Sequence, residues 1–500
     1  MTTQNILSKA LATMLTLVPV TLLMTSCDKF LDIQPKGTMP KEVLFRDEQG
    51  FKDALYGIYA SMADASLYGG NLTYGFVDKL GQMFMYNNTE NEDTYILRYD
   101  YMNLKVRPTI DQIWTNQYAV IAYVNELIDA YETTDLKGTT LDMIGGEAYA
   151  LRAFLHFDLL RLYTADYAQR TGQSGIPYAY KADLENKQLY SIEDSYKNIL
   201  ADLDKAEKLL ASDVSLYLPM GTSVDVYLDE RYAHLNKYAV SALKARIYYT
   251  MGDLTEAAAY ARKVIDATAT TADAPEGTMK LGLAEKGDFE RVKRYPAQGE
   301  LLFGLYAPRI AKTVYETFLQ NTTSGSFTEA RTDLKELYET DKFTATSVDL
   351  RYGHFYKELS GGLTAFTRLL SNEAELNKGD FEGLTLIRLP EMYYILSECL
   401  YDSDRTQSLN LLNAVRKSRG LAEIDPAKVD TKEKYISEMM RERMREMPGE
   451  GQIFFAYKHY NLPILDRRGK ESIPASNEIY ILPWPEKERE FGFTAETNKK

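Results

Sequence analysis

Two cysteines, Cys27 and Cys399, are all that the 500 residues supply. A disulfide framework of the kind that stabilises small secreted domains is therefore excluded. Histidine is equally scarce. His156, His234, His354 and His459 are the only four, and no two share a metal-pair spacing. The chain contains no H-E-x-x-H, C-x-x-C or G-x-S-x-G pattern and no phosphate-cradling glycine loop, which removes the commonest metal, redox, acyl-transfer and nucleotide chemistries. Neither a metal nor a cofactor is expected. Positive charge is in deficit, with 58 Lys and Arg against 72 Asp and Glu, a net −14. That balance opposes nucleic-acid binding and adhesion to anionic lipid through a basic face. Only two tryptophans exist, Trp114 and Trp484, so broad indole platforms for a polysaccharide are scarce. Trp114 falls on a helix stripe, where burial is expected.

The chain also lacks a membrane-spanning run. Its longest apolar stretch, Ala10 to Met24, is interrupted by Thr13, Thr16, Pro19 and Thr21 and is shorter than the ~20 residues a helix needs to cross a bilayer. It suits the core of a secretory signal covering residues 1–26. Small Thr25 and Ser26 lead into Cys27, an arrangement similar to a lipobox, in which the cysteine is acylated and becomes the new N-terminus. Two or more acyl chains anchor durably, since each buried CH₂ contributes about 0.8 kcal/mol. Cys27 is thus the expected lipidation site. Residues 27–37 (CDKFLDIQPKG) read as a polar tether, and residues 38–500 as a single domain.

What is abundant is tyrosine, 38 residues beside 19 Phe. A ring face with a polar tip suits helix packing and also sugar or peptide contact. Apolar periodicity predicts helices over 111–131, 146–163, 191–210, 237–250, 254–265, the stretch from Leu389 to Cys399, 405–419 and 432–447. Gly420 is placed as a C-cap, and Pro448–Gly449 as a stop. Ser191 starts its helix as a cap, with Asp194 three residues on. The pair around Met251–Gly252–Asp253 has small Ala245, Ala257 and Ala261 where two helices must approach closely, the spacing of a tetratricopeptide-type hairpin. Three long irregular stretches separate the helices: 69–107, 212–231 and 267–381. Their Gly, Asn, Thr, Asp and Tyr content marks them as ordered functional loops, with a short strand near Glu300 to Tyr306. The charged run from Arg441 to Glu446 predicts a structural ion-pair network, pairing Glu442 with Arg445 and Glu446 with Arg443. His156 is expected to pack or hydrogen-bond within its helix, and Cys399 to be a buried small hydrophobe.

Taken in order, these segments resemble the SusD/RagB family of outer-membrane nutrient-binding lipoproteins of the Bacteroidota. Cys27 to Gly37 is similar to the family's mature start. Leu151 to Tyr163 (LRAFLHFDLLRLY), followed by Ile176–Pro177, is similar to a hallmark helix. Ala242 to Ile265 matches its tetratricopeptide-like hairpin. Arg388 to Gly420 resembles its penultimate helix pair, and Glu442 to Gly451 (ERMREMPGEG) its Glu-Gly motif. Ile453 and Ala456 stand where the family often has Arg and Asp, and Pro483–Trp484–Pro485 takes the place of its Pro-Ile-Pro segment. The resemblance implies a mostly α fold of four tetratricopeptide-like helix pairs supporting a loop-rich ligand half with few short strands. It implies surface display on the outer membrane through the lipid anchor alone. It also implies a SusC-like TonB-dependent β-barrel transporter as partner and capture of a glycan or peptide without catalysis.

Family ligand sites arise from the loop regions. Here that points to Tyr86 and Tyr306 as stacking platforms and to Asn87, Asn88 and Arg309 as hydrogen-bond donors. Peptide capture is the alternative within the family. A secreted glycan hydrolase, which needs a converging carboxylate pair, and a protein-binding helical scaffold are the alternatives outside it.

Overall fold

The computed structural model describes residues 40–86, 91–185, 187–213, 225–229, 231–272, 280–291, 298–320, 327–345, 347–369 and 383–490. Cys27, the expected leader over 1–26 and the expected tether over 27–37, and also Asn87 and Asn88, lie outside the described residues. The chain divides into two units, residues 1–50 and 51–500. In the first, the short helix Lys41–Leu44 is followed by a turn in which the Gly50 amide donates to Asp47 at 3.1 Å.

The second unit is built on a series of helices. They are α1 (Arg107–Thr133), α2 (Thr139–Tyr163), α3 (Ile192–Leu209), α4 (Lys237–Met251), α5 (Leu254–Ala272), α6 (Ile310–Phe318), α7 (Leu389–Leu400), α8 (Arg405–Ser418), α9 (Lys432–Glu446) and α10 (Ile453–Tyr460). With α6 set aside, each of these from α1 to α8 packs on the next, as does α9 on α10. This is the stacking expected of helix-pair repeats, where no pair covers its apolar face alone. The five two-stranded sheets among the described residues are all antiparallel. Three concern the loop-rich half: β1 (Phe84–Tyr86) with β3 (Thr328–Ala330), β2 (Leu301–Tyr306) with β6 (Gly383–Arg388), and β4 (Tyr356–Glu358) with β5 (Thr364–Phe366).

Local chemistry explains the helix ends. The Ser191 hydroxyl accepts from the Asp194 amide at 3.0 Å and donates to the Asp194 carboxylate at 2.9 Å, so aspartate closes the cap. Asn236 caps α4 by accepting from the amides of Tyr238 and Ala239. That helix ends at Gly252, whose φ of 76° is open to glycine at no steric cost. Ala239, Ala242 and Ala245 on α4 and Ala257 and Ala261 on α5 are all fully buried. With no side chain beyond Cβ, they let the two backbones close together. Gly420 ends the turn after α8 at φ 82°.

Two expectations change. The sequence pattern puts one apolar stripe on α2, yet every residue from Leu141 to Tyr163 except Asp142 is buried. α1 covers one side, α3 the other, and the strand Ser174–Pro177 also packs on it. Its buried polar groups are therefore paired, as burial requires. Arg152 grips Asp202 through two bonds of 2.7 Å. Glu147 accepts from Tyr59, Tyr227 and Arg231. The His156 Nδ1–H donates to the Arg152 carbonyl at 2.8 Å, its Nε2 accepts from the Ala179 amide at 3.0 Å, and its ring stacks on Tyr178. The second change concerns the long irregular stretches. α5 runs to Ala272, past residue 267. Short elements, among them the helices Phe76–Leu80 and Glu92–Ile96 and all of α6, punctuate the rest.

Candidate functional site

Strand β2 buries Leu301 to Leu305 against β6 and ends at Tyr306, which pairs with Gly383 and is 58% exposed. A turn follows, and α6 starts after Arg309, which is also exposed. In α6 the apolar residues Ile310, Val314 and Phe318 recur every four positions, and with Ala311 they face inward. Tyr315, one turn on from Ala311, flanks that inward face and is 50% exposed. At 1.5 Å per residue, Tyr315 stands about 9 Å along the axis from Arg309. One ridge of ten residues thus presents two tyrosines and a guanidinium to solvent.

An aromatic core fixes that ridge from beneath. The Phe318 ring meets Phe84 at 5.1 Å, Phe366 at 5.3 Å and Tyr74 at 6.2 Å, and Phe84 meets Phe366 at 5.0 Å. Edge-to-face aromatic pairs of this kind contribute about 0.5–1.5 kcal/mol each beyond area burial. Tyr86 enters through this core, since it follows Phe84 on β1. It is only half-buried, and its amide donates to Asp93 at 2.5 Å, a carboxylate also gripped by Lys79 at 2.6 Å. Tyr306 and Arg309 therefore share the ridge, while Tyr86 sits on a separate sheet. Tyr315 was missed by the sequence reading. Spacing alone could not have found it, since Tyr315 lies one turn from the inward Ala311.

The opposite end of β2 and β6 is anchored by buried charge. Glu446, at the end of α9, accepts from Arg351 at 3.0 Å, Arg388 at 2.7 Å and Arg419 at 2.8 Å. Glu300, directly before β2, accepts from Arg388 at 3.2 Å and Arg419 at 2.8 Å. Glu442 pairs with Arg351, Arg416 and Arg445 at 3.1, 2.6 and 2.8 Å. The expected Glu442–Arg445 pair is present. The expected Glu446–Arg443 pair is not, because Arg443 turns to Glu398 at 3.0 Å instead. Burial pushes the Glu442 carboxyl up, but its three guanidiniums outweigh that and hold it at about 2. Glu446 is likewise held well below the usual carboxylate range by Arg419 and Arg388 against the cost of burial. The network ties the strands that lead to Tyr306 onto the helical array.

Other candidates resolve simply. Both tryptophans are buried and pack together at 4.9 Å, and Trp484 donates to the Tyr163 carbonyl at 3.1 Å. Cys399 is half-buried rather than fully enclosed, and burial still pushes its thiol up to about 12. It is thus a protonated thiol at neutral pH. Among the described residues no group of three or more His, Cys, Asp or Glu is arranged to hold a metal. No described helix is long and apolar enough to cross a membrane.

Two family models match the chain. One, described as starch-binding and associating with the outer membrane, covers residues 29–249, and the SusD family model covers residues 352–480. Among curated proteins, one SusD-like protein of Formosa agariphila is 24% identical over 50% of this chain and 46% of its own length, so the match spans about half of that relative. A second from the same organism is 23% identical over 86% of this chain and 87% of its own length. Among solved structures, a SusD superfamily protein from Bacteroides thetaiotaomicron superposes with a TM-score of 0.69 at 21% identity, covering 89% of this chain and 97% of that one. A SusD-like carbohydrate binding protein from Bacteroides vulgatus gives 0.66 at 16% identity, covering 89% and 96%. With both family models in their expected order along the chain, and the helix-pair array common to these structures, the chain belongs to the SusD/RagB family.

Proposed function

We propose that this protein is a lipid-anchored receptor of the outer-membrane surface, held by Cys27, that captures an oligosaccharide or glycan. It then delivers the ligand to a TonB-dependent transporter of the SusC type. The observation that carries this reading is the ridge of Tyr306, Arg309 and Tyr315, which exposes aromatic faces beside a hydrogen-bonding cation on a rigid base. Aromatic faces stack on sugar rings, and a guanidinium donates to hydroxyls through a fixed fork of N–H groups. The starch-binding description of the matching family and the carbohydrate-binding description of a similarly folded protein support the same ligand class. Binding rather than catalysis is the role inferred here, and Tyr86, Asn87 and Asn88 remain proposed contributors at the margin of the site.

A second reading, peptide capture, is favoured by one observation. With Trp114 and Trp484 both buried, the protein offers no exposed indole face. A combined glycan and peptide array with the protein lacking residues 1–27 separates the two. Affinity for the ligand so identified is then measured for Tyr306→Ala and Tyr315→Ala. Loss of about 1–3 kcal/mol per exposed aromatic anchor is expected. Unchanged binding in both variants would overturn the site, and binding only to peptides would overturn the ligand class.

A further inference from the structure

A cavity of about 40 Å³ lies within the helical array, away from the tyrosine ridge. α2, α4, α7, α9 and α10 supply most of its wall. That volume accommodates a few water-sized groups, since one water needs roughly 10–15 Å³. Four basic residues line it, Arg161, Arg246, Arg443 and Lys458, with the carboxylates Glu391 and Asp166, while Asp158 and Glu398 pair with Arg161 and Arg443 from outside the lining. Each cation is more than nine-tenths buried.

Their hydrogen bonding is incomplete in one direction only. Arg246 grips Glu391 through Nε and Nη2 at 2.7 and 2.6 Å, which leaves Nη1 without a partner. Arg443 spends Nη2 on Glu398, and its Nε has no partner. Arg161 donates to Asp158 and Gln452, and its Nε also has none. His459 Nδ1 is the fourth, a donor in the tautomer that carries its proton there. All the unpartnered buried atoms on the lining residues are nitrogens, and no oxygen is among them. Lys458 donates to the carbonyls of Arg161 and Thr164, at 2.5 and 2.6 Å, with Asp166 the carboxylate that acts on it across the cavity. Burial holds its ammonium down to about 7.

Buried donors without acceptors are costly, each worth about 1–3 kcal/mol. A wall with surplus N–H donors on paired guanidiniums is complementary to a compact ligand made of acceptors. We propose that this cavity is a binding site for one small free oxyanion of phosphate or sulfate size. It is separate from the ligand ridge and independent of what binds there. The volume admits a free anion of that size.

Two measurements on the purified full chain test this. In calorimetric titration with potassium phosphate and potassium sulfate at constant ionic strength, one saturable site is expected, with a dissociation constant of about 1 mM or tighter. Acetate and chloride should bind at least about tenfold more weakly. Ala456→Leu fills the cavity without replacing any charged residue, and it should weaken phosphate binding at least about tenfold while leaving the circular dichroism spectrum unchanged. In crystals of the unaltered protein soaked in selenate, an anomalous peak is expected within hydrogen-bonding distance of Arg246 and Arg443. That readout stands even if the leucine variant fails to fold. Absence of saturable phosphate and sulfate binding, equal binding by a folded Ala456→Leu protein, or a cavity holding only water in the selenate soak would each overturn the proposal.

Discussion

Replacing Glu446 by glutamine is the sharpest test of how the array carries the loop-rich half. The side chain is 0% exposed, so water cannot compensate for what is lost. One carboxylate oxygen accepts from Arg388 Nη1 at 2.7 Å and Arg419 Nη2 at 2.8 Å. The other accepts from Arg351 Nη1 and Arg419 Nε, both at 3.0 Å. An amide keeps the shape but carries one oxygen and one NH₂. Whichever way it turns, two guanidinium donors meet another donor. Two charge-assisted bonds at about 1.5–3 kcal/mol each give a loss of about 3–6 kcal/mol. The uncompensated buried charge that remains falls in the same range, about 3–5 kcal/mol. Urea denaturation followed by circular dichroism measures it. The midpoint should fall with the slope unchanged. Glu438→Gln is the control, because Glu438 pairs with Arg416 and Arg445 from a more exposed position, and it should cost less than about 1 kcal/mol. A loss below about 1 kcal/mol for Glu446→Gln would refute the view that this carboxylate holds the three arginines together.

Further outcomes follow from single contacts. Gly252→Ala places a side chain at φ 76° in open space and should cost about 1–2 kcal/mol in thermal or urea unfolding. Gly420→Ala has a similar φ but sets its Cβ 2.5 Å from the Val348 carbonyl oxygen, so it should exceed the first by at least about 1 kcal/mol, and equal costs would contradict the packing. Glu442 and Glu147 are both held at about 2 against an ordinary 4.5. Lowered native pKa values stabilise above the unfolded value and lose that contribution on acidification. Stability should therefore be level above about pH 5 and decline as pH falls from about 4.5 toward 2, by on the order of 3 kcal/mol per carboxylate. A urea midpoint that stays constant down to pH 3 would contradict this. Because Trp114 and Trp484 are buried against each other, saturating ligand should leave tryptophan emission unmoved, and a shifted emission maximum would place the ligand elsewhere.

By itself the sequence determined what depends on neighbours along the chain. The Ser191 cap, the Gly252 turn, the alanines that bring α4 and α5 together and the stop at Gly420 all follow from local hydrogen bonding, backbone freedom and helical periodicity. The family's motifs lie in those same helices, which is why the fold class was legible there. Tertiary structure decided the rest. Spacing on a helix pairs Glu446 with Arg443, yet its partners are Arg351, Arg388 and Arg419, which lie 95, 58 and 27 residues away. Three buried guanidiniums neutralise a carboxylate better than one helical neighbour, and only the folded chain brings them within reach. The all-round burial of α2 likewise needs α1 and α3 on both sides, which no stripe of its own sequence encodes. The ligand ridge is intermediate. Tyr306 and Arg309 were legible as polar-aromatic loop residues. Tyr315 was not, because it shares a helical row with the buried Ala311, and only the docking of Phe318 on Phe84 and Phe366 set the flank of this nine-residue helix toward solvent.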